Sequence, residues 1–118
     1  MILSGPDPVG LALHAAMNGL STRQNVIADN IANVDTPHFR ASSVDFESSL
    51  RAAIERGDAS AAPSIGVEPT ATPVGANDNN VDLRKESIAA IQTQYQYQVV
   101  ARAISDRAGL VSTAAGTR

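Results

Sequence analysis

Apolar residues between Pro8 and Ala32 fall in a stripe. Leu13, Leu20 and Ile27 recur every seven positions, Met17, Gln24 and Ile31 fill the alternate seam position, and Val9 and Ala16 widen it. His14, Asn18, Ser21, Arg23 and Asn25 fall elsewhere. A seven-residue recurrence keeps one helical face turned toward a partner, so the spacing predicts an amphipathic helix over 8–32, about 37 Å long at 1.5 Å per residue. Asp7 is placed to cap it, Pro8 suits a first turn that needs no amide donor, and Gly5-Pro6 is the breaker in front. Gly19 costs about 1 kcal/mol relative to alanine inside a helix, tolerable where a neighbouring helix needs close approach.

The exit from this helix is written in 28–39, ADNIANVDTPHF. Pro37 lacks an amide hydrogen and its ring drives Thr36 toward extended geometry, so the helix should stop before Thr36. Asn30, Asn33, Asp35 and Thr36 carry short polar side chains that bond nearby backbone, and asparagine tolerates the left-handed conformation in which helices often end. Residues 34–43 are expected to be irregular or extended. Val44, Phe46, Leu50, Ala53 and Ile54 then predict a short helix over 44–54, with Ser43 or Asp45 as cap and Gly57 as stop.

From Gly57 to Asn80 the periodicity fades. Pro63, Pro69 and Pro73 are set among Ala, Ser, Thr and Gly, with Ile65, Val67 and Val74 as the scattered large apolar residues. Such a stretch buries too little surface to offset the entropy of ordering, which predicts a flexible connector; the other reading is an extended arm that orders on a neighbour. Asn77-Asp78-Asn79-Asn80 reads as a polar turn, and Asp82 as the cap of a last helix over 83–111 or further, since Gly109 weakens a helix without excluding its continuation. There Leu83, Ala90, Tyr97, Ile104 and Val111 repeat every seven residues, with Ala101 and Ala108, and earlier Ser87 and Gln94, in the companion position. A second stripe, Ile88, Ile91, Tyr95 and Val99, lies beside the first. Two apolar faces call for more than one partner helix.

The fold expected is therefore all-α. Two long terminal helices form an antiparallel, coiled-coil-like pair, with a short middle helix and a flexible connector. The organisation follows: 1–56 as an N-terminal segment, 57–80 as connector, 81–118 as the C-terminal helix. A lone pair of helices covers one face of each, so polymerisation would cover the rest.

Composition sharpens this picture. Two Phe, two Tyr and no Trp in 118 residues, with much of the 43% hydrophobic content being alanine, argue against a dense globular core and for helices that approach one another closely, those of other chains included. With no cysteine there is no disulfide framework or thiolate metal site. A net charge of −3 and unclustered basic residues exclude a nucleic-acid footprint. Met1 to Gly10 lacks the charged, apolar and small-residue sections of a Sec-type leader, and no apolar run approaches the ~20 residues that span a bilayer.

Candidate chemistry is thin. His14 shares its helical face with no acidic residue, and His38 beside Asp35 lacks a placed nucleophile. Asp45 and Glu47 stand two apart and point to different sides of a helix. Phosphate loops, nucleophile elbows and zinc spacings are missing from the sequence, so no enzyme activity, cofactor, metal or small-molecule substrate is expected.

Asn30-Ile31-Ala32-Asn33, then Asp35-Thr36-Pro37, Phe39 and Arg40, resembles the N-terminal signature of flagellar rod, hook and hook-associated proteins. Ser43-Val44-Asp45-Phe46-Glu47 and Leu50 are similar to the proximal-rod type. Asn79-Asn80-Val81-Asp82-Leu83, with Glu86 and Tyr97, resembles the family's C-terminal segment. The family commonly has Gly-Tyr-Lys where this chain has His38-Phe39-Arg40; if that glycine supplies a positive φ, His38 must do so at a steric cost, or the turn differs here. The resemblance implies a structural subunit of the basal-body rod, exported uncleaved through the flagellar type III apparatus and located in the periplasmic rod. It implies as partners other copies of the chain, other rod proteins, the rod-to-membrane-ring adaptor and the export gate. A monomeric helical binding or export-adaptor module is the alternative, and a small hydrolase using His38 and Asp35 a more distant one.

Overall fold

Pro8 opens the first helix and the asparagines before Thr36-Pro37 close it, giving α1 at Pro8–Ala32 with Asn33 as its C-cap. The computed structural model describes residues 7–57 and 64–116, so the expected breaker Gly5-Pro6, 58–63 of the expected connector and the last two positions lie outside the described residues. After α1 the chain forms strand β1 (Ser42–Asp45), helix α2 (Glu47–Glu55), strand β2 (Gly66–Pro69), a short turn at Ala76–Asp78 and helix α3 (Leu83–Gly116). The molecule is elongated, with principal extents of 65 × 26 × 15 Å. α3 alone is about 51 Å long at 1.5 Å per residue.

Three helices dominate, and the all-α expectation needs one correction. β1 and β2 pair antiparallel in a two-stranded sheet, with Ser42 opposite Pro69, Val44 opposite Val67 and Asp45 opposite Gly66. Residues 44 and 45, expected to begin a helix, belong to this sheet; α2 starts at Glu47, after Phe46. Residues 66–80, read as part of a flexible connector, are tied down. Thr70 N–H bonds the Ala41 carbonyl, and Asn80 Nδ2 bonds the Thr72 carbonyl at 3.2 Å. Apolar surface is as scarce here as the composition suggests, but backbone and asparagine hydrogen bonds hold the segment in its place. α3 runs on through Gly109 and Val111 to Gly116, the continuation that the sequence left open.

The core lies where β1 crosses α1. Leu20, Val44 and Phe46 are buried together, with Ala16, Val26, Leu50, Ile65 and Val100 packed around them. Gly19 permits this crossing, because a Cβ there would overlap the Cγ and both Cδ atoms of the Phe46 ring. The close approach expected from a helix comes instead from the aromatic ring that leads into α2. Arg23 then spans the same junction, its guanidinium 4.9 Å from the Phe46 ring centroid, 2.7 Å from the Val44 carbonyl and in a forked pair with Glu47. Bidentate pairs of this kind fix geometry as well as charge. They hold Glu47 below the usual carboxylate range, chiefly through the hydrogen bond from Arg23.

α1 also lies against α3. Near the end of α1, Asn30 Nδ2 donates to Glu86 Oε1 on the first turns of α3 at 2.9 Å. At the start of α1, Asp7 pairs with Arg107. No capping hydrogen bond of standard geometry forms from Asp7 to α1; its carboxylate lies over the first turn, beside Val9 and Gly10, and pairs with Arg107. At the start of α3, Asp82 Oδ1 accepts from Lys85 N–H at 3.2 Å, as a helix cap does.

Candidate functional site

Two surfaces stand out: a buried polar junction where the ends of the chain meet, and the apolar faces the fold leaves open. The junction starts from the carbonyls that a helix leaves unpaired at its C-terminus. Asp29 O accepts the Asn33 amide and its Nδ2, and Asn33 O accepts the Thr36 amide at 3.0 Å. Asn79 Nδ2 then reaches back to the Asn33 and Thr36 carbonyls at 2.9 and 2.8 Å. Its Oδ1 accepts from Val81 N–H. A side-chain amide carries both a donor and an acceptor, so one asparagine serves both segments.

Asn30 and Asn80 do the same for β1. Asn30 is 1% exposed; Nδ2 donates to the Ser42 carbonyl at 2.7 Å and to Glu86, while Oδ1 accepts from Ser42 N–H at 3.1 Å. Asn80 Oδ1 accepts from Ala41 N–H at 2.6 Å. The buried polar residues Asn30, Asn79, Asn80 and Glu86 thus tie α1, β1, the 76–78 turn and α3 into one unit. A satisfied buried network of this kind specifies one arrangement, because any slip strands its members.

The outer rim of the junction is strained. His38, Asn77 and Asp78 have φ of 65°, 61° and 58°. His38 adopts the positive φ anticipated for the position where a glycine is common. Its amide donates to the Asn77 carbonyl, and its Nδ1 lies 2.9 Å from Asp78 Oδ2. Arg40 contributes a 2.7 Å bond to Asp78 Oδ1. The hydrogen bond to His38, followed by that to Arg40, lowers the Asp78 carboxyl below its ordinary value. His38 faces Asp78, and Asp35 has no role in this arrangement. No trio of metal-ligating side chains is found among the described residues.

The signature residues are divided by depth. Asn30 is buried, Ile31, Asn33 and Phe39 are half-buried, and Ala32, Asp35, Thr36 and Pro37 are exposed. Of the residues read as helix packing, Leu20 and Ile27 are buried, and Leu13, Met17, Ala90, Ala101 and Ile104 are half-buried. Leu83, Tyr97, Ala108 and Val111 are exposed. The buried side of α3 is marked instead by Glu86 and Thr93, with Val100 half-buried. An apolar period misses these positions, since both side chains are polar: the Glu86 carboxylate accepts from Asn30, and the Thr93 hydroxyl is satisfied within α3 by the Ala89 carbonyl. Glu86 stood within the resembled C-terminal block, which was the available signal.

Two apolar features are open. Ile88, Ile91, Tyr95 and Val99 are 51, 61, 68 and 65% exposed. At about 100° per residue they point roughly half a turn away from Glu86, Thr93 and Val100. Elsewhere on the surface, Val9, Ala12, Leu13 and Ala16 of α1 with Leu50 and Ile54 of α2 line a groove of about 420 Å³. No helix among the described residues is long and apolar enough to cross a membrane.

Comparison with known proteins accounts for the two-ended signature. The family described as "Flagella basal body rod protein" matches residues 12–40. The chain is 33% identical to the flagellar basal body rod protein FlgB of Borreliella burgdorferi, over 74% of this chain and 80% of that one. It is 32% identical to FlgB of Escherichia coli K12, over 76% and 80% respectively. It is also 32% identical to FlgB of Bacillus subtilis 168, over 86% and 88%. The chain belongs to the FlgB family of flagellar basal body rod proteins, and is a structural subunit of that rod rather than an enzyme.

Proposed function

We propose that the chain builds the proximal part of the rod through its two terminal helices, which run antiparallel as a coiled-coil-like pair and carry torque by side-chain packing against neighbouring subunits. The observation that carries this reading is the open stripe of α3: four large apolar side chains in line, turned away from α1. An apolar face of that length is covered by another helix in the working state of a protein. The antiparallel pairing is supported by contacts at both ends, Asn30 with Glu86 and Asp7 with Arg107. The proximal position is supported by the Ser43-Val44-Asp45-Phe46-Glu47 resemblance.

In this reading the segments 1–56 and 81–118 form the rod-building unit, joined through 57–80. The subunit travels uncleaved through the flagellar export apparatus to the periplasmic rod. Its neighbours are further copies, other rod proteins, and at the base the membrane-ring adaptor and export gate.

Paired substitutions test it. Tyr95→Asp places a charge on the open stripe and should abolish recovery of intact basal bodies while leaving the thermal midpoint of the isolated chain unchanged. Ile104→Asp, half-buried where α3 meets α1, should lower both, since a buried unpaired charge costs several kcal/mol. Normal rods with Tyr95→Asp would overturn the proposal.

A further inference from the structure

The seam between α1 and α3 turns polar at its middle. Gln24 stands in the α1 stripe between Met17 and Ile31, and Gln94 stands in a row of α3 that continues as Ala101 and Ala108. The fold brings the two amides together: both line a cleft of about 450 Å³ between the helices, with Leu20, Thr93 and Tyr97.

Gln24 Oε1 is buried and receives no hydrogen bond among the described residues. Thr93, which shares the cleft, cannot supply one, because its single hydroxyl hydrogen goes to the Ala89 carbonyl. Ser21 and Asn25 add polar groups to the lining, but they stand on α1 itself at exposed positions. A buried acceptor without a donor is costly, so the cleft asks for an N–H or O–H from the facing helix.

Level along the seam selects that donor. Counted from the contact of Asn30 with Glu86, Gln24 lies about 9 Å along α1 and Gln94 about 12 Å along α3, at 1.5 Å per residue. Tyr97 lies about 16.5 Å along α3 by the same count, well past Gln24. Gln94 is exposed, so its amide is free to turn into the cleft.

We infer that Gln24 and Gln94 form an amide pair across the seam, Gln94 Nε2 donating to Gln24 Oε1. The pair is a third polar tie between α1 and α3, midway between Asn30 with Glu86 and Asp7 with Arg107. This rests on the reading of the two helices as an antiparallel pair. An apolar seam tolerates slippage by one repeat, whereas a polar pair in it does not. Sliding α3 by seven residues sets Ser87 or Ala101 at the level of Gln24. Alanine has no side-chain donor and the serine hydroxyl sits on a far shorter side chain, so either slip strands the acceptor.

Thermal unfolding of the full chain tests the pair. Gln, Met, Lys and Glu have similar helix propensities, so exchanges at position 94 leave α3 itself little changed. Gln94→Met should lower the midpoint by about 4 °C, because it strands a buried acceptor. Gln94→Lys, which keeps a donor, should stay within about 1 °C of the parent. Gln94→Glu, which only accepts at neutral pH, should lose at least as much as Gln94→Met. Adding Gln24→Met to Gln94→Met should return the midpoint to the parent value or above, since two apolar partners leave nothing stranded. An unchanged midpoint with Gln94→Met, an equal loss with Gln94→Lys, or a double variant below the single one would overturn the inference. Ile104→Asp separates this failure from failure of the helix pair: if it lowers the midpoint and Gln94→Met does not, the amide pair alone is refuted, and if neither does, both fall.

Discussion

Replacing Asn30 by alanine removes three hydrogen bonds at the place where α1, β1 and α3 meet. It strands the Ser42 amide, the Ser42 carbonyl and the Glu86 carboxylate. A buried polar group left unpaired costs about 1–3 kcal/mol, with charged groups at the upper end. The Ser42 bonds are only partly buried, so water repairs much of that loss, whereas Glu86 is 5% exposed. The expected destabilisation is about 3–5 kcal/mol, or on the order of 15 °C in thermal midpoint for a chain of this size. Asn30→Asp should be worse at neutral pH, because it sets a second carboxylate where Nδ2 now lies 2.9 Å from Glu86 Oε1. Adding Glu86→Gln to Asn30→Asp should recover much of the loss by restoring a donor to that contact. The assay is thermal unfolding of the isolated chain followed by circular dichroism. A midpoint for Asn30→Ala within about 2 °C of the parent would refute the claim that this side chain holds the junction.

Three further substitutions or conditions probe the same framework. His38→Gly should raise stability by up to ~1 kcal/mol, because glycine adopts the 65° φ without a Cβ clash; a lower midpoint would mean that the contact with Asp78 outweighs the strain. Gly19→Ala should destabilise by about 1–3 kcal/mol despite the better helix propensity, since the new methyl meets the Phe46 ring, and Phe46→Leu should relieve part of it. Acid should weaken the fold: Asp7, Asp78 and Glu47 have folded values below their ordinary 3.8, 3.8 and 4.5, so their contribution is complete above those values and is lost as pH falls through the lowered ones. Asp78→Asn should flatten the fall of the midpoint with pH below about 4, and an unchanged profile would count against the Asp78 contacts.

The two long helices were legible where their ends are marked chemically. Pro8 and Thr36-Pro37 bracket α1, and Asp82 announces α3. The sheet was not legible, for each strand has four residues and one large apolar side chain, Val44 or Val67, which is too little for an alternation to be seen. The junction was hidden for a different reason. Asn79 and Asn80 look like turn residues in sequence, and their burial depends on backbone groups that lie far earlier in the chain, at Asn33, Thr36 and Ala41. The inner face of α3 was hidden too, because Glu86, bonded to Asn30, and Thr93, bonded within its own helix, are polar residues that a hydrophobic period does not register.

Asn79 has one more consequence. The carbonyls of Asn33, the C-cap of α1, and of Thr36 in the turn beyond it accept from a side chain encoded 46 positions after Asn33. Neither end of the chain can finish its own architecture, whatever order the ends emerge in. The junction therefore behaves as a check on completeness: a truncated chain that lacks the second asparagine block keeps an exit turn with unpaired carbonyls and a strand whose leading amide, at Ala41, has lost its acceptor.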